Sequence, residues 1–291
     1  MTDAPRPWTV LRLLDWTQGY FARADVEEPR LSAEVLLACT LGCERVQLYT
    51  RSDHPVAADR LTVYRDFVRR AAAGEPVAYL TGRKEFYSLP LKVTPDVLVP
   101  RPETELLVDA ALAFVKPAGG GRMWDVCTGS GCVAIATAAQ VPDLTVLATD
   151  ISPEAVAVAG ANTTEHGLGE RVRCRQADLL ALPDDCQVLA PFEVITANPP
   201  YVAEGDEVGP SVRYEPAEAL LAGADGLAAI RPLVGGAADW LSDKGLLILE
   251  FGCGQADAVR DLIVAAGRFA EPAILRDHQS IERAAVARRI S

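Results

Sequence analysis

Hydrophobic positions change their spacing twice along the chain. From residue 8 to about 75 they recur at helical intervals. Val10, Leu11, Leu13, Leu14 and Trp16 open an amphipathic pattern that Leu31, Val35, Leu36 and Leu37 continue after Pro29. Ser32 is followed three residues later by Val35, so no capping box marks that start. The spacing predicts a further helix over 57–73, with Leu61, Tyr64, Phe67 and Val68 on one face and Gly74-Glu75-Pro76 as its stop. This is a small helical bundle without a constellation of reactive residues, suited to recognising a partner. Short β-prone runs follow at 85–93 and 97–99, split by Pro90 and by Thr94-Pro95-Asp96, and predict a linking hairpin or ribbon.

Beyond Lys116 strand-like and helix-like runs alternate, the signature of an α/β, doubly wound sheet. Before it, 106–112 reads as a helix with acidic residues in its first turn, where the helix dipole favours them. Strands are expected at 123–127, 144–148, 172–176, 192–197 and 245–251. Helices are expected at 132–139, 156–166, 227–241 and 255–266, and 273–275 with 284–287 as a final antiparallel pair. The expected domains are 1–85, a helical recognition domain; 86–101, a β-ribbon linker; and 102–291, the catalytic sheet.

Charge alters this picture. Residues 1–85 hold 12 basic and 12 acidic side chains, so the whole net charge of −12 lies in residues 86–291. Nucleic-acid binding draws on basic residues at phosphates, and the sheet half has the wrong sign for a dedicated binder. No apolar run reaches a membrane span, and the first residues do not resemble a signal peptide, so a cytoplasmic protein is expected. Seven cysteines without a Cys-x-x-Cys pair fit reduced thiols. Cys39 and Cys43 lie one helical turn apart, but no nearby ligand set accompanies them; core packing is expected, and no metal.

The candidate chemistry sits at strand ends. Asn198-Pro199-Pro200-Tyr201 directly follows the 192–197 run, at the carboxyl edge where open α/β sheets bind ligands. The prolines remove two backbone donors. An Asn side-chain oxygen beside the Pro199 carbonyl makes two acceptors, which suit a planar –NH2 group. Taken alone, the tetrapeptide reads equally as a turn. Upstream, Thr128-Gly129-Ser130-Gly131 forms a tight turn after the first strand, and Asp150 ends the second, 19 residues past Gly131. Glycines there let a ligand approach the backbone, and an acid at that place takes ribose hydroxyls. A dinucleotide is less well suited, because position 134 is Ala where a third glycine belongs. Asp178 follows the third strand, so Gly129, Asp150, Asp178 and Asn198 would line one edge of the sheet. Asp125, within its strand, reads as structural or as a cofactor contact. His54, His166 and His278 are scattered and read as surface or packing residues.

This set resembles the S-adenosyl-L-methionine-dependent methyltransferases that modify planar nitrogens, which have a Rossmann-like sheet. More closely, the chain is similar to the release-factor glutamine methyltransferases, the HemK/PrmC family. Segment 74–82, Pro100 to Glu105, Asn198 to Tyr201, Tyr214-Glu215-Pro216 and 223–227 all carry the likeness, which covers almost the entire chain. It implies a cofactor site of Asp125, Cys127, Thr128, Gly129, Ser130, Gly131, Asp150, Asp178, Leu179 and Asn198. It implies a substrate and catalytic site of Asn198, Pro199, Pro200 and Tyr201, with Tyr201 packed on the substrate amide or closing the core. The implied reaction is methyl transfer from S-adenosyl-L-methionine to glutamine N5 in the Gly-Gly-Gln motif of release factors, by a monomer acting in translation termination. A ribosomal-protein glutamine or an adenine N6 in DNA are the alternative acceptors. Cys127 departs from the family's usual Gly, which requires its side chain to point away from the cofactor or tightens the site. The run 277–283 also departs from the family pattern.

Overall fold

The computed structural model describes residues 7–290, which fall into two compact units. The first ends at Arg83 and also takes in Val208–Tyr214. Its helices are α1 (Val10–Arg23), α2 (Pro29–Leu41), α3 (Arg45–Thr50), α4 (Ala58–Ala72) and α5 (Val77–Thr81). Leu13, Leu14, Phe21, Leu36, Leu37, Tyr64 and Val68 form its core, as the 3.6-residue pattern requires. The six residues of α3 and five of α5 are too short to show periodicity. A capping box of Glu44 and Gln47 starts α3. Gly74 lets Val208–Tyr214 approach: a Cβ there would lie 3.0 Å from the Pro210 Cβ, and the Tyr214 hydroxyl donates to the Ala73 carbonyl at 3.4 Å. Cys39 is exposed and Cys43 half-buried, so the expected core role of Cys39 is not realised: it falls on the outer face of α2.

The second unit opens with a hairpin of β1 (Arg83–Phe86) and β2 (Leu89–Lys92). The break falls at Tyr87-Ser88, not at Pro90, because both turn residues take positive φ (+51° and +61°), which suits the twist of a two-residue hairpin. Pro90 lies within β2, which a two-strand ribbon tolerates. Residues 97–99 form no strand; Val97 and Val99 are buried from a loop. Then follow α6 (Glu105–Ala118), β3 (Gly121–Val126), α7 (Cys132–Gln140), β4 (Leu144–Asp150), α8 (Pro153–Glu165), β5 (Val172–Gln176), β6 (Phe192–Ala197), α9 (Ile230–Trp240), β7 (Leu241–Glu250), α10 (Ala256–Ala266), β8 (Ala273–Arg276) and β9 (Glu282–Arg288).

The sheet order is β5-β4-β3-β6-β7-β9-β8, parallel except that β9 runs against both its neighbours. Its central strands are hydrophobic at nearly every position because both faces are covered. Met123, Val146, Val194 and Ile248 enter one core, and Trp124, Leu147, Ile195 and Leu247 the other. The order reverses between β3 and β6, so the crevice for a ligand opens beyond their carboxyl ends. The atypical run 277–283 is the β8–β9 turn: the Asp277 carboxylate accepts from the Gln279 and Ile281 amides and from Arg283 Nε.

Candidate active site

The turn after β3 is braced from beneath. Asp125 is 2% exposed; Thr128 donates to its Oδ2 at 2.5 Å and Thr196, on β6, to its Oδ1 at 2.7 Å. Burial pushes Asp125 up to about 6, and these two hydroxyls oppose the rise. Asp150 Oδ2 accepts from the Gly129 amide at 2.9 Å and Oδ1 from the Ser152 amide at 3.1 Å, tying the glycine turn to the end of β4. Burial raises Asp150 as well, against its backbone donors. Gly131 starts α7 at φ +81°, and a Cβ there would press on Ile135 and on Ala159 of α8 at 3.1 and 3.2 Å. Asn162 of α8, wholly buried, donates to the carbonyls of Ser130 and Lys92 and accepts from the Lys92 amide. It thereby fixes the ribbon to the glycine turn.

Cys127 and Leu179 follow β3 and β5 with φ of +57° and +45°. Left-handed backbone at non-glycine residues is strain that clusters at functional sites. Burial, with Asp150 next in effect, drives the Cys127 thiol far above the ordinary thiol range, so it is a neutral wall group and not a thiolate.

Asn198 caps β6, and its Nδ2 donates to Thr104 Oγ1 at 3.1 Å. The residues after it are clasped. Val202 pairs with Leu221, Gln255 Nε2 donates to the Tyr201 carbonyl at 3.0 Å, and a Cβ on Gly226 would lie 2.3 Å from that carbonyl oxygen. Only glycine permits that approach, which gives the 223–227 motif its physical basis. Arg101 Nη2 bonds both oxygens of the buried Glu215. Within the second unit, the segments 100–105, 198–201, Glu215 and 223–227 are therefore joined to one another.

A cavity of about 410 Å³ opens at this edge. Asp125, Cys127, Thr128, Gly129, Ser130, Asp150, Asp178, Leu179, Asn198 and Pro200 line it; Gly131, Pro199 and Tyr201 are not among its lining residues. The half-buried Tyr201 ring packs against the core beside β7, and its hydroxyl donates to Glu250. Cys127 is among the lining residues and also packs against the core. Sequence reasoning missed Thr104, Asn162 and Glu250. The first lies in a segment that carried the likeness, while nothing marked the other two.

Known proteins resolve the assignment. A family described as PrmC N-terminal domain matches residues 12–82, and one described as methyltransferase small domain matches residues 103–226. Proteins named release factor glutamine methyltransferase from Rhodopirellula baltica and Geobacter sulfurreducens are each 39% identical to this chain. The alignments cover 97% of it with 97% and 98% of theirs. The chain belongs to the release factor glutamine methyltransferases. Solved structures place this family member's sheet among Rossmann-like methyltransferases. A methyltransferase from Pyrococcus furiosus superposes with a TM-score of 0.52 at 14% identity, over 81% of this chain and all of that one. The hMettl16 catalytic domain gives 0.56 at 14% identity, over 76% of this chain and 80% of that one. These two likenesses bear on the fold alone.

Proposed function

We propose that this enzyme transfers a methyl group from S-adenosyl-L-methionine to the side-chain N5 of a glutamine in peptide chain release factors, at the Gly-Gly-Gln motif. The observation that carries the reading is Asn198 at the rim of the cavity, its NH2 engaged by Thr104 and its oxygen thereby free to accept. The cavity suits the cofactor. Ser130 Oγ is buried without a hydrogen-bond partner at bonding distance among the described residues, beyond a weak influence on the Cys132 thiol, and Ser130 lines the cavity. Gly129 and Ser130 would hold the methionine end, Asp150 the ribose, and Asp178 with Leu179 the adenine. When bound, the sulfonium supplies an electrophilic methyl group.

The chain's own task is positioning. A glutamine nitrogen is a weak nucleophile because its lone pair is delocalised into the carbonyl. The Asn198 side-chain oxygen and the Pro199 carbonyl accept its two N–H protons and aim the nitrogen. Orientation of this kind contributes up to ~7–11 kcal/mol in ideal cases. Both contacts strengthen as positive charge develops on nitrogen, so they favour the transition state over the ground state. Tyr201 holds the segment in place through its carbonyl and hydroxyl.

The helical unit supplies surface for a protein partner. Trp16, Val46 and Tyr49 are large apolar side chains exposed on it. The enzyme acts as a monomer in the cytoplasm. Labelled S-adenosyl-L-methionine offered with release factor, ribosomal protein or DNA in parallel tests the reading. Label on a release-factor glutamine is expected, and label on the ribosomal protein or DNA alone would overturn it.

A further inference from the structure

One buried amide serves two walls of the cavity. Asn162 of α8 is wholly buried and is not among the lining residues. An Asn side chain has two hydrogens to donate and an oxygen to accept, and this one uses all three. Its Nδ2 donates to the Ser130 carbonyl at 2.8 Å and to the Lys92 carbonyl at 3.0 Å, and its Oδ1 accepts from the Lys92 amide at 2.7 Å. Ser130 lines one wall, between Gly129 and Gly131 at φ of +54° and +81°. Glycines impose little preference of their own, so the turn takes its shape from outside contacts. Asp150 grips it before Ser130, through the Gly129 amide, and Asn162 after, through the Ser130 carbonyl. Lys92 ends β2, and the chain that leaves it turns at Thr94, whose carbonyl accepts from the Val97 amide at 3.2 Å. That turn supplies Asp96, Val97 and Leu98 to the cavity lining.

We propose that Asn162 is a positioning residue for the amino-acid end of the cofactor, fixing the Ser130 turn to the segment that carries residues 96–98 from behind the cavity lining. The inference rests on the reading above that Gly129 and Ser130 hold the methionine end. A leucine at 162 would fill the space without holding either wall, and an aspartate would set acceptors against two carbonyls. The effect is confined to one end of the ligand. All three bonds of Asn162 go to Ser130 and Lys92, and none to Asp150, Asp178 or Leu179, which are assigned to the nucleoside.

Two measurements on the full chain test this, and neither needs a methyl acceptor. The first compares the affinities for S-adenosyl-L-homocysteine and for methylthioadenosine, which keeps the nucleoside and lacks the amino-acid end. In Asn162→Ser and Asn162→Ala the Kd for S-adenosyl-L-homocysteine should rise about tenfold, the worth of one oriented hydrogen bond, and that for methylthioadenosine by less than about twofold. Unchanged affinity for S-adenosyl-L-homocysteine, or an equal loss for both ligands, would overturn the proposal. The second measurement uses the wild type, so it stands even where the variants fail to fold. The chain has two asparagines, Asn162 and Asn198, so selective nitrogen labelling gives two side-chain NH2 groups, of which Asn162 supplies the one that survives in Asn198→Ala. Saturating S-adenosyl-L-homocysteine should slow exchange of the Asn162 NH2 with solvent by about tenfold more than saturating methylthioadenosine does, because coupling between two sites is reciprocal. Equal exchange under the two ligands would overturn the positioning even if transfer to glutamine stands. The selective slowing upholds it even if the methyl acceptor proves to be something else.

Discussion

Arg101 and Glu215 lie 114 residues apart in sequence, yet one guanidinium nitrogen is 2.8 Å from both carboxylate oxygens. The Glu215 side chain is fully buried and Arg101 about a third exposed. The pair joins the segment entering the cavity to the segment leaving it. Arg101→Met should destabilise the protein by about 2–4 kcal/mol, because it deprives a buried carboxylate of its guanidinium. Arg101→Met with Glu215→Leu should cost clearly less. Urea denaturation measures both, and equal losses would show that the buried charge is not the cause.

Asp150 combines two duties, and its substitution should separate them. Asp150→Ala removes an acceptor for the cofactor ribose and the brace on the Gly129 amide. Affinity for S-adenosyl-L-methionine should fall by about 1–3 kcal/mol. Calorimetry showing unchanged affinity would remove Asp150 from the site.

Asn198→Ala should abolish most single-turnover transfer while cofactor binding stays nearly normal. It removes the acceptor and leaves one substrate proton unpaired in a closed site, at roughly 1–3 kcal/mol. Asn198→Asp keeps an acceptor but loses the donor to Thr104, and should fall between wild type and Ala. A near-wild-type rate in Ala would sink the mechanism.

Glu250 makes stability depend on pH. Burial pushes it up to about 7 from an ordinary 4.5, with Glu103 adding to the rise and Thr104, Tyr201 and Arg283 opposing it. Because the folded value lies above the unfolded one, the stabilising contribution is complete below about pH 4.5 and is lost as pH rises to about 7. Glu250→Gln does not titrate. Between about pH 5 and 8 the stability difference should therefore move in the variant's favour by about 1–3 kcal/mol. A constant difference across that range would show that Glu250 is not perturbed.

Cys127 occupies left-handed backbone at a cost of about 1–2 kcal/mol for a residue with a Cβ. Cys127→Gly should raise stability by up to about 1 kcal/mol, the greater freedom of the unfolded chain taking back part of the gain. It should not weaken cofactor binding, since it removes no polar group from the lining. Cys127→Val, with a branched Cβ at positive φ, should lower the melting temperature. Scanning calorimetry on both variants checks the pair.

Most of the sheet was legible because strands buried on both faces have near-continuous apolar runs: 172–176 and 192–197 were read to the residue. The ends of α8 and β7 were less so. Pro153 was not read as the first residue of its helix, and β7 starts at Leu241, four residues before the Gly245 where the apolar run begins. The cavity lining was legible where it falls in contiguous motifs, as at 128–130 and at Asn198 and Pro200. Thr104 escaped because its meaning lies in a contact with Asn198, and Glu250 because its meaning lies in a contact with Tyr201, neither of which a local pattern encodes. Tyr201 reads the same in sequence whether its ring meets a ligand or closes a core.

Because Val208–Tyr214 belongs to the helical unit, that unit is not complete when its last helix has been synthesised. Translation proceeds at roughly 5–20 residues per second, so its missing piece follows Arg83 by on the order of ten seconds. During that interval β3 to β6 emerge in between. The usual order, in which an N-terminal domain closes before the next begins, cannot apply in full here. The helical unit becomes whole only when most of its neighbour has already left the ribosome.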